Sequence, residues 1–281
     1  MSALTFDGRV PEPPAGALGR LRWALADTWT ITGRSLAHWS RQPGKLAGDL
    51  MFAVMVVLIM GYVFGGQMHV PGGGNYREFI MPGMFAMIMI FGVEATFAAV
   101  SGDAAKGVTD RFRAMPVSAT AMVAGRAVAD MLQSTLNLLV TAGTGMLIGW
   151  GWNEGAGRAL AAFGLLLLLR WSLLWVGLYL GLAAKGPESL VAVQILVWPV
   201  SFLSSAMIAP STMPGWLGAI AEWNPMSATV TAARELFGNP GPATDGSWAA
   251  EHSLALAVAW PLLITAVFLP LAARRHRRLS R

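Results

Sequence analysis

Apolar residues in this chain gather into long runs rather than into the one-sided or alternating patterns of a soluble fold. Stretches near the roughly 20 mostly apolar residues that a helix needs to cross a bilayer fall at 48–66, 79–101, 125–149, 158–184, 190–209 and 252–272. Each reads as a spanning helix. Arg170 interrupts the fourth, which predicts tilt or a kink. The fifth holds Pro199 and ends at Pro210, which predicts a broken or short span. Ahead of the first run, Leu25, Trp29, Leu36 and Trp39 fall near one helical face, while Arg20, Arg22, Arg34 and Arg41 stud the same segment. Basic and aromatic residues at this spacing suit a helix lying in the membrane interface over 18–44; a short soluble helix packed on a partner is the alternative. The expected fold class is therefore an all-α membrane protein, six transmembrane helices preceded by an interfacial N-terminal helix.

Composition supports this pattern. Of 281 residues, 55% are hydrophobic and 12% charged, too little charge for an ordinary soluble surface. With no cysteine there is no disulfide framework, thiolate metal site or nucleophilic cysteine. His38, His69, His252 and His276 lie far apart at the ends of apolar runs, so no metal site is expected. A net charge of +5 could suggest nucleic acid, but the arginines sit beside apolar segments rather than along an exposed stripe with aromatics between them, and none is expected as a partner. They report orientation and contact with membrane lipids instead.

Basic residues favour the cytoplasmic side of short loops. Arg20, Arg22, Arg34, Arg41 and Lys45 precede the first run, Lys106, Arg111 and Arg113 follow the second, Lys185 follows the fourth, and Arg274, Arg275, Arg277, Arg278 and Arg281 follow the sixth. The opposite loops hold only Arg77, Arg158 and Arg234. Both termini are thus expected in the cytoplasm of a multi-pass protein. The expected division is a cytoplasmic tail at 1–17, the interfacial helix at 18–44, a six-helix transmembrane domain at 45–272 with an external helical segment at 210–251, and a basic cytoplasmic tail at 273–281. Residues 1–17 carry Pro11, Pro13 and Pro14 and lack the apolar core of a secretory signal.

The segment 210–251 falls outside by this topology. Asn224 and Pro225 form an N-cap and first helical position, and Gly238 stops the helix after Phe237. Trp216, Leu217, Ile220 and Trp223 share one face of a preceding short helix. These helices either dip into the outer leaflet and cover the external mouth of a pathway, with Trp216, Trp223, Asn224 and Pro225 as gate candidates, or form an ordinary interfacial belt.

Between the second and third runs stand Asp103, Lys106, Asp110, Arg111, Phe112, Arg113, Pro116 and Ser118. The preceding span opens with Tyr76, Phe79, Pro82 and Gly83. Gly186-Pro187-Glu188-Ser189 precedes the fifth run, and Phe202-Leu203-Ser204-Ser205 leads to Met213-Pro214-Gly215-Trp216 and Glu222-Trp223-Asn224-Pro225. In this order and spacing, over roughly 45–272, the chain resembles the permeases of the ABC type-2 exporter family, in particular their daunorubicin-resistance branch. The resemblance implies a coupling helix in the first cytoplasmic loop, an ABC ATPase partner in two copies and a second permease copy, a homodimer in a bacterial cell membrane. ATP and magnesium would then belong to the ATPase, with no cofactor on this chain. Independently, no G-x-x-x-x-G-K-[ST] phosphate loop occurs, since Gly44-Lys45 lacks the upstream glycine and the following hydroxyl residue. The chain is expected to be a transport subunit rather than an enzyme.

Residues 102–118 are the expected ATPase contact. The loop is charged and too short for a domain. Pro116 limits any helix running through Arg113, with Phe112 as apolar anchor and the arginines setting register. Pro187 and Glu188 are the second coupling candidates.

Glu94 falls in the second span and Arg170 near the middle of the fourth, where a central arginine costs roughly 2.5–3.5 kcal/mol on an insertion scale. They read either as a gate or substrate contact or as a structural pair with each other, and the pair is favoured because buried charges find partners. The function expected is export of an amphiphilic small molecule, a drug or natural product. The alternatives are a lipid or glycan precursor exporter of the same family and an ion-coupled secondary transporter. The last would usually show internal repeats and paired intramembrane acids, whereas Glu94 is read as a single buried acid. An intramembrane enzyme would need a nucleophile with a base or H-E-x-x-H, and neither occurs.

Overall fold

In the computed structural model, residues 16–41, 43–65, 70, 73–105, 119–184, 186, 188–241 and 247–279 are described, and every regular element among them is helical. In chain order these are α1 (Ala17–Arg41), α2 (Pro43–Leu58) continued by a π-helical turn (Ile59–Phe64), α3 (Tyr76–Ala105), α4 (Ala119–Leu147), α5 (Ala156–Ala183) and α6 (Ser189–Phe202). A short 3₁₀ turn (Pro210–Thr212) leads to α7 (Gly215–Glu222), α8 (Pro225–Phe237), α9 (Trp248–Glu251) and α10 (Ser253–Leu279).

Among the described residues, four helices are long and apolar enough to cross a membrane: Leu46–Phe64, Tyr76–Ala104, Ala156–Ala183 and Ser253–His276. They coincide with the first, second, fourth and sixth apolar runs. The third run is α4, 29 residues long but diluted by Arg126, Asp130, Gln133 and Asn137. The fifth run is helical for only 14 residues, ending at Phe202 rather than 209. Pro199 lies in its last turn, and the Leu203 amide closes onto the Pro199 carbonyl at 2.8 Å before the chain leaves the helix. Arg170 does not interrupt α5, which is continuous through it.

The bundle is organised around α5, which packs on α3 along one side and on α10 along another. Gly177 and Gly181, four apart on α5, permit the α3 contact. A Cβ on Gly177 would lie 2.9 Å from the Val93 carbonyl oxygen, and one on Gly181 would lie 2.7 Å from Val100 Cβ. Small residues at this spacing let helix backbones approach where lipid offers no hydrophobic drive to association. Above that contact Phe85, Trp150, Phe163 and Phe237 meet mostly edge to face, with ring centroids 5.0 to 6.0 Å apart. The Trp150 indole N–H donates to Asn239 Oδ1 at 2.8 Å, so the one polar atom of the cluster is satisfied.

Helix α1 lies against α4. Thr32 donates its hydroxyl to the Gly125 carbonyl at 3.1 Å, and Ile31 fills the space that a side chain at Gly125 would need. Leu25 and Trp29 point away from the bundle and are exposed. The π-helical turn is held by Arg77, which donates to the carbonyls of Ile148 (2.6 Å) and Gly61 (3.4 Å) while its guanidinium lies 4.8 Å from the centre of the Tyr62 ring.

The local signals of α8 are realised. Asn224 Oδ1 accepts from the Met226 amide, Pro225 is the first helical residue, and Gly238 ends the helix in the left-handed region at φ 67°. A Cβ there would also strike Glu154 Cγ at 2.6 Å.

Candidate functional site

Glu94 and Arg170 do not pair with each other. Arg170 of α5, fully buried, donates from Nη2 to Asp130 Oδ1 of α4 at 2.7 Å and to the Thr96 hydroxyl of α3 at 2.7 Å. Its Nε donates to Ser134 at 2.7 Å, and the Thr96 hydroxyl donates to Asp130 Oδ2. The expected Glu94–Arg170 pair is therefore corrected to Asp130–Arg170, and Glu94 is not the single acid of the membrane core. Depth along a helix can be read from sequence, but partner choice depends on which way each helix is turned. Gly92 is part of the arrangement, because a Cβ there would lie 2.7 Å from the guanidinium carbon. Three helices are tied by one side chain, and Nη1 of that guanidinium has no hydrogen-bond partner among the described residues.

Glu94 faces α6 instead. Its Oε2 accepts from Gln194 Nε2 at 3.2 Å and its Oε1 from the Trp198 indole N–H at 3.1 Å. Phe91, one turn earlier on α3, meets the Trp198 ring at 5.6 Å. Trp198 in turn stacks on Phe202 at 6.0 Å.

A third polar centre lies where α6 ends. Arg234 of α8 is buried and donates to three backbone carbonyls: Phe79 from Nε at 3.0 Å, Ser205 from Nη1 at 2.8 Å and Ala206 from Nη2 at 3.0 Å. Its guanidinium also lies 4.2 Å from the centre of the Phe79 ring. Burial draws its pKa down to about 9, so it still carries its charge at neutral pH. Asn224 Nδ2 donates to Val200 and Leu203 carbonyls, both at 2.7 Å, and the Ser227 hydroxyl accepts from the Ser205 amide at 2.9 Å. A Cβ on Gly83 would fall 2.1 Å from the Ala206 carbonyl oxygen. Pro82-Gly83, Ser204-Ser205 and Asn224-Pro225, far apart in sequence, thus converge on one junction. The irregular backbone after α6 finds its hydrogen-bond partners there, as buried non-helical chain requires.

The remaining gate candidates lie at the surface near this junction. Trp216 is exposed, and Trp223 stacks on Trp248, which stacks on His252 at 4.4 Å. At the opposite end of α3, Asp103 pairs with Arg126 of α4, a tie across the loop between these helices. Lys106, Asp110, Arg111, Phe112, Arg113, Pro116 and Pro187 lie outside the described residues. Glu188 is exposed at the turn before α6. Asp130, Thr96, Ser134, Gln194, Trp198 and Arg234 were not singled out from sequence as site residues.

Residues 26–237 match the family model described as ABC-2 type transporter. The chain is 31% identical to the daunorubicin resistance ABC transporter permease protein DrrB1 of Streptomyces coeruleorubidus, over 90% of this chain and 87% of that one. It is 23% identical to a probable doxorubicin resistance ABC transporter permease protein, DrrC, of Mycobacterium tuberculosis, over 83% of this chain and 84% of that one. The matched span runs from α1 to the end of α8 and takes in all three stretches that meet at Arg234. With apolar helices of membrane-crossing length, this polar junction and that breadth of similarity, the chain belongs to the ABC-2 type transporter family.

Proposed function

We propose that the chain is the permease subunit of an exporter that moves an amphiphilic small molecule, a drug or natural product, out across the bacterial cell membrane. ATP and magnesium are used by a separate ATPase present in two copies, and two permease copies form a homodimer. The observation that carries this reading is the similarity, along 90% of the chain, to a permease named for daunorubicin resistance. Both termini lie in the cytoplasm and the chain crosses six times.

Two features support six crossings. Helix α4 has 29 residues, about 43 Å at 1.5 Å per residue, and its partly buried Asp130 is neutralised by Arg170. Helix α6 is short, yet the chain beyond it is tied to α8 through Asn224, Ser227 and Arg234. Asp130 is already ion-paired with Arg170, which disfavours it as an acid for ion coupling.

The test is co-expression with an ABC ATPase in an efflux-deficient bacterium, followed by purification and reconstitution in vesicles. The proposal requires ATP-dependent movement of hydrophobic drugs, lost when the ATPase cannot hydrolyse ATP. Movement of a lipid or glycan precursor without any drug would favour the other branch of the family.

A further inference from the structure

We infer that Glu94, Phe91, Gln194, Trp198 and Phe202 form a recognition site for a cationic amphiphile with an aromatic body, an inference that rests on the small-molecule export reading above. Phe91 and Glu94 are three apart on α3, while Gln194, Trp198 and Phe202 follow at intervals of four on α6, so each set lies on one helical face. The faces meet with Phe91 and Trp198 rings 5.6 Å apart. The indole turns its N–H edge to Glu94 Oε1 at 3.1 Å, which fixes the ring beside the carboxylate. Trp198 and Phe202 each remain 48% exposed, and Glu94 is partly exposed, so this group opens outward from the chain.

Charge chooses the occupant. A carboxylate can accept about four hydrogen bonds; Glu94 receives one from Gln194 and one from Trp198 among the described residues, and both donors are neutral. Asp130 in the same bundle shows the other arrangement, an acid 15% exposed with a guanidinium 2.7 Å away. Asp130 thus meets a cation, while the more accessible Glu94 has neutral donors among the described residues. Glu94 lies four residues past the midpoint of the Tyr76–Ala104 span, about 6 Å along the axis, where an uncompensated charge is costly. A ligand cation compensates it, and the Trp198 and Phe202 faces offer both apolar contact and attraction to positive charge. A neutral lipid makes no use of the carboxylate, and an anionic headgroup is repelled by it.

The test uses the assembled permease–ATPase complex in detergent, with quenching of tryptophan fluorescence by tetraphenylphosphonium as cationic probe and by uncharged tetraphenylmethane as neutral probe of matching shape. The wild-type complex should bind the cation more tightly, and Glu94→Gln should lower the cation-to-neutral affinity ratio about tenfold. Glu94→Asp, which keeps the charge, should retain most of the ratio and separates a charge effect from a folding defect. No binding of the cation by the wild type, or an unchanged ratio in Glu94→Gln, overturns the site. Dissociation of the permease dimer in Glu94→Gln also overturns it, because Glu94 would then be meeting a basic residue of a second copy. Vesicle transport keeps the two proposals apart. A wild type that pumps uncharged drugs while failing the ratio test loses only the site, and one that moves lipid but no drug loses the export reading.

Discussion

Replacing Asp130 by asparagine tests the polar centre of the bundle most directly. The change keeps the shape of the side chain and one carbonyl acceptor but removes the charge opposite Arg170, whose guanidinium is 1% exposed. With charge centres about 4 Å apart and an effective dielectric constant near 20, the lost attraction is about 4 kcal/mol. That lies within the 3–5 kcal/mol typical of breaking a buried pair from one side. The Thr96 and Ser134 hydroxyls still accept from Arg170, so the lower half of that range is expected. At roughly 2–4 °C per kcal/mol for a chain of this size, the melting temperature of the purified permease in detergent should fall by about 6–16 °C. Adding Arg170→Met removes the stranded cation and should recover a large part of the loss, giving a coupling of about 2 kcal/mol or more in the double-mutant cycle. Glu94→Gln combined with Arg170→Met is the comparison cycle, with expected coupling below about 0.5 kcal/mol. A loss under about 1 kcal/mol for Asp130→Asn, or a Glu94–Arg170 coupling larger than the Asp130–Arg170 one, would refute the assignment.

Arg234→Met should strand the Phe79, Ser205 and Ala206 carbonyls and cost more than about 3 kcal/mol in a thermal melt, at 1–3 kcal/mol for each unsatisfied buried group; Arg234→Lys should recover less than half, since a point charge cannot span three acceptors. Gly92→Ala pushes a methyl against the Arg170 guanidinium and should lower stability by about 1–3 kcal/mol, an effect that disappears in an Arg170→Met background. Single cysteines at Ser118 and Ser247 of this cysteine-free chain should label from opposite sides of the membrane, and labelling from one side would exclude six crossings. Arg111→Glu with Phe112→Ala should abolish co-purification of the ATPase and transport while membrane insertion stays normal; a surviving complex would move the coupling role to residues 185–189.

Helix positions were largely legible because an uninterrupted apolar run of spanning length rarely folds as anything but a helix, and the α8 boundaries followed from Asn224, Pro225 and Gly238 alone. The polar interior was not, although one signal was present. Asp130, Ser134, Asn137, Thr141 and Thr144 recur at intervals of four and three along the third run, a polar stripe on one helical face. Ser134, Thr141 and Thr144 are buried, so the stripe turns inward. That periodicity offers Asp130 as an alternative partner for Arg170. Arg234 is harder to foresee: it lies in a predicted external segment, and its partners are backbone carbonyls, which leave no mark on the pattern of side chains. The end of α6 is hidden for the same reason, since apolar residues continue to 209 while the backbone leaves the helix at Phe202.

The junction at Arg234 also bears on the order in which the protein is made. The Ser205 and Ala206 carbonyls accept from a residue 29 and 28 positions later in the chain, and Val200 and Leu203 accept from Asn224, 24 and 21 positions later. When residues 189–209 first leave the ribosome and reach the translocon, those donors have not yet followed them out of the ribosome. The segment therefore waits in a watery or protein-lined setting until α8 emerges, and its final placement is a late, post-insertion event. Chains truncated after about 215 and after about 240 residues and released from the ribosome should differ sharply in protease protection at Ser204–Ala206, with Arg234→Met behaving like the shorter chain at any length.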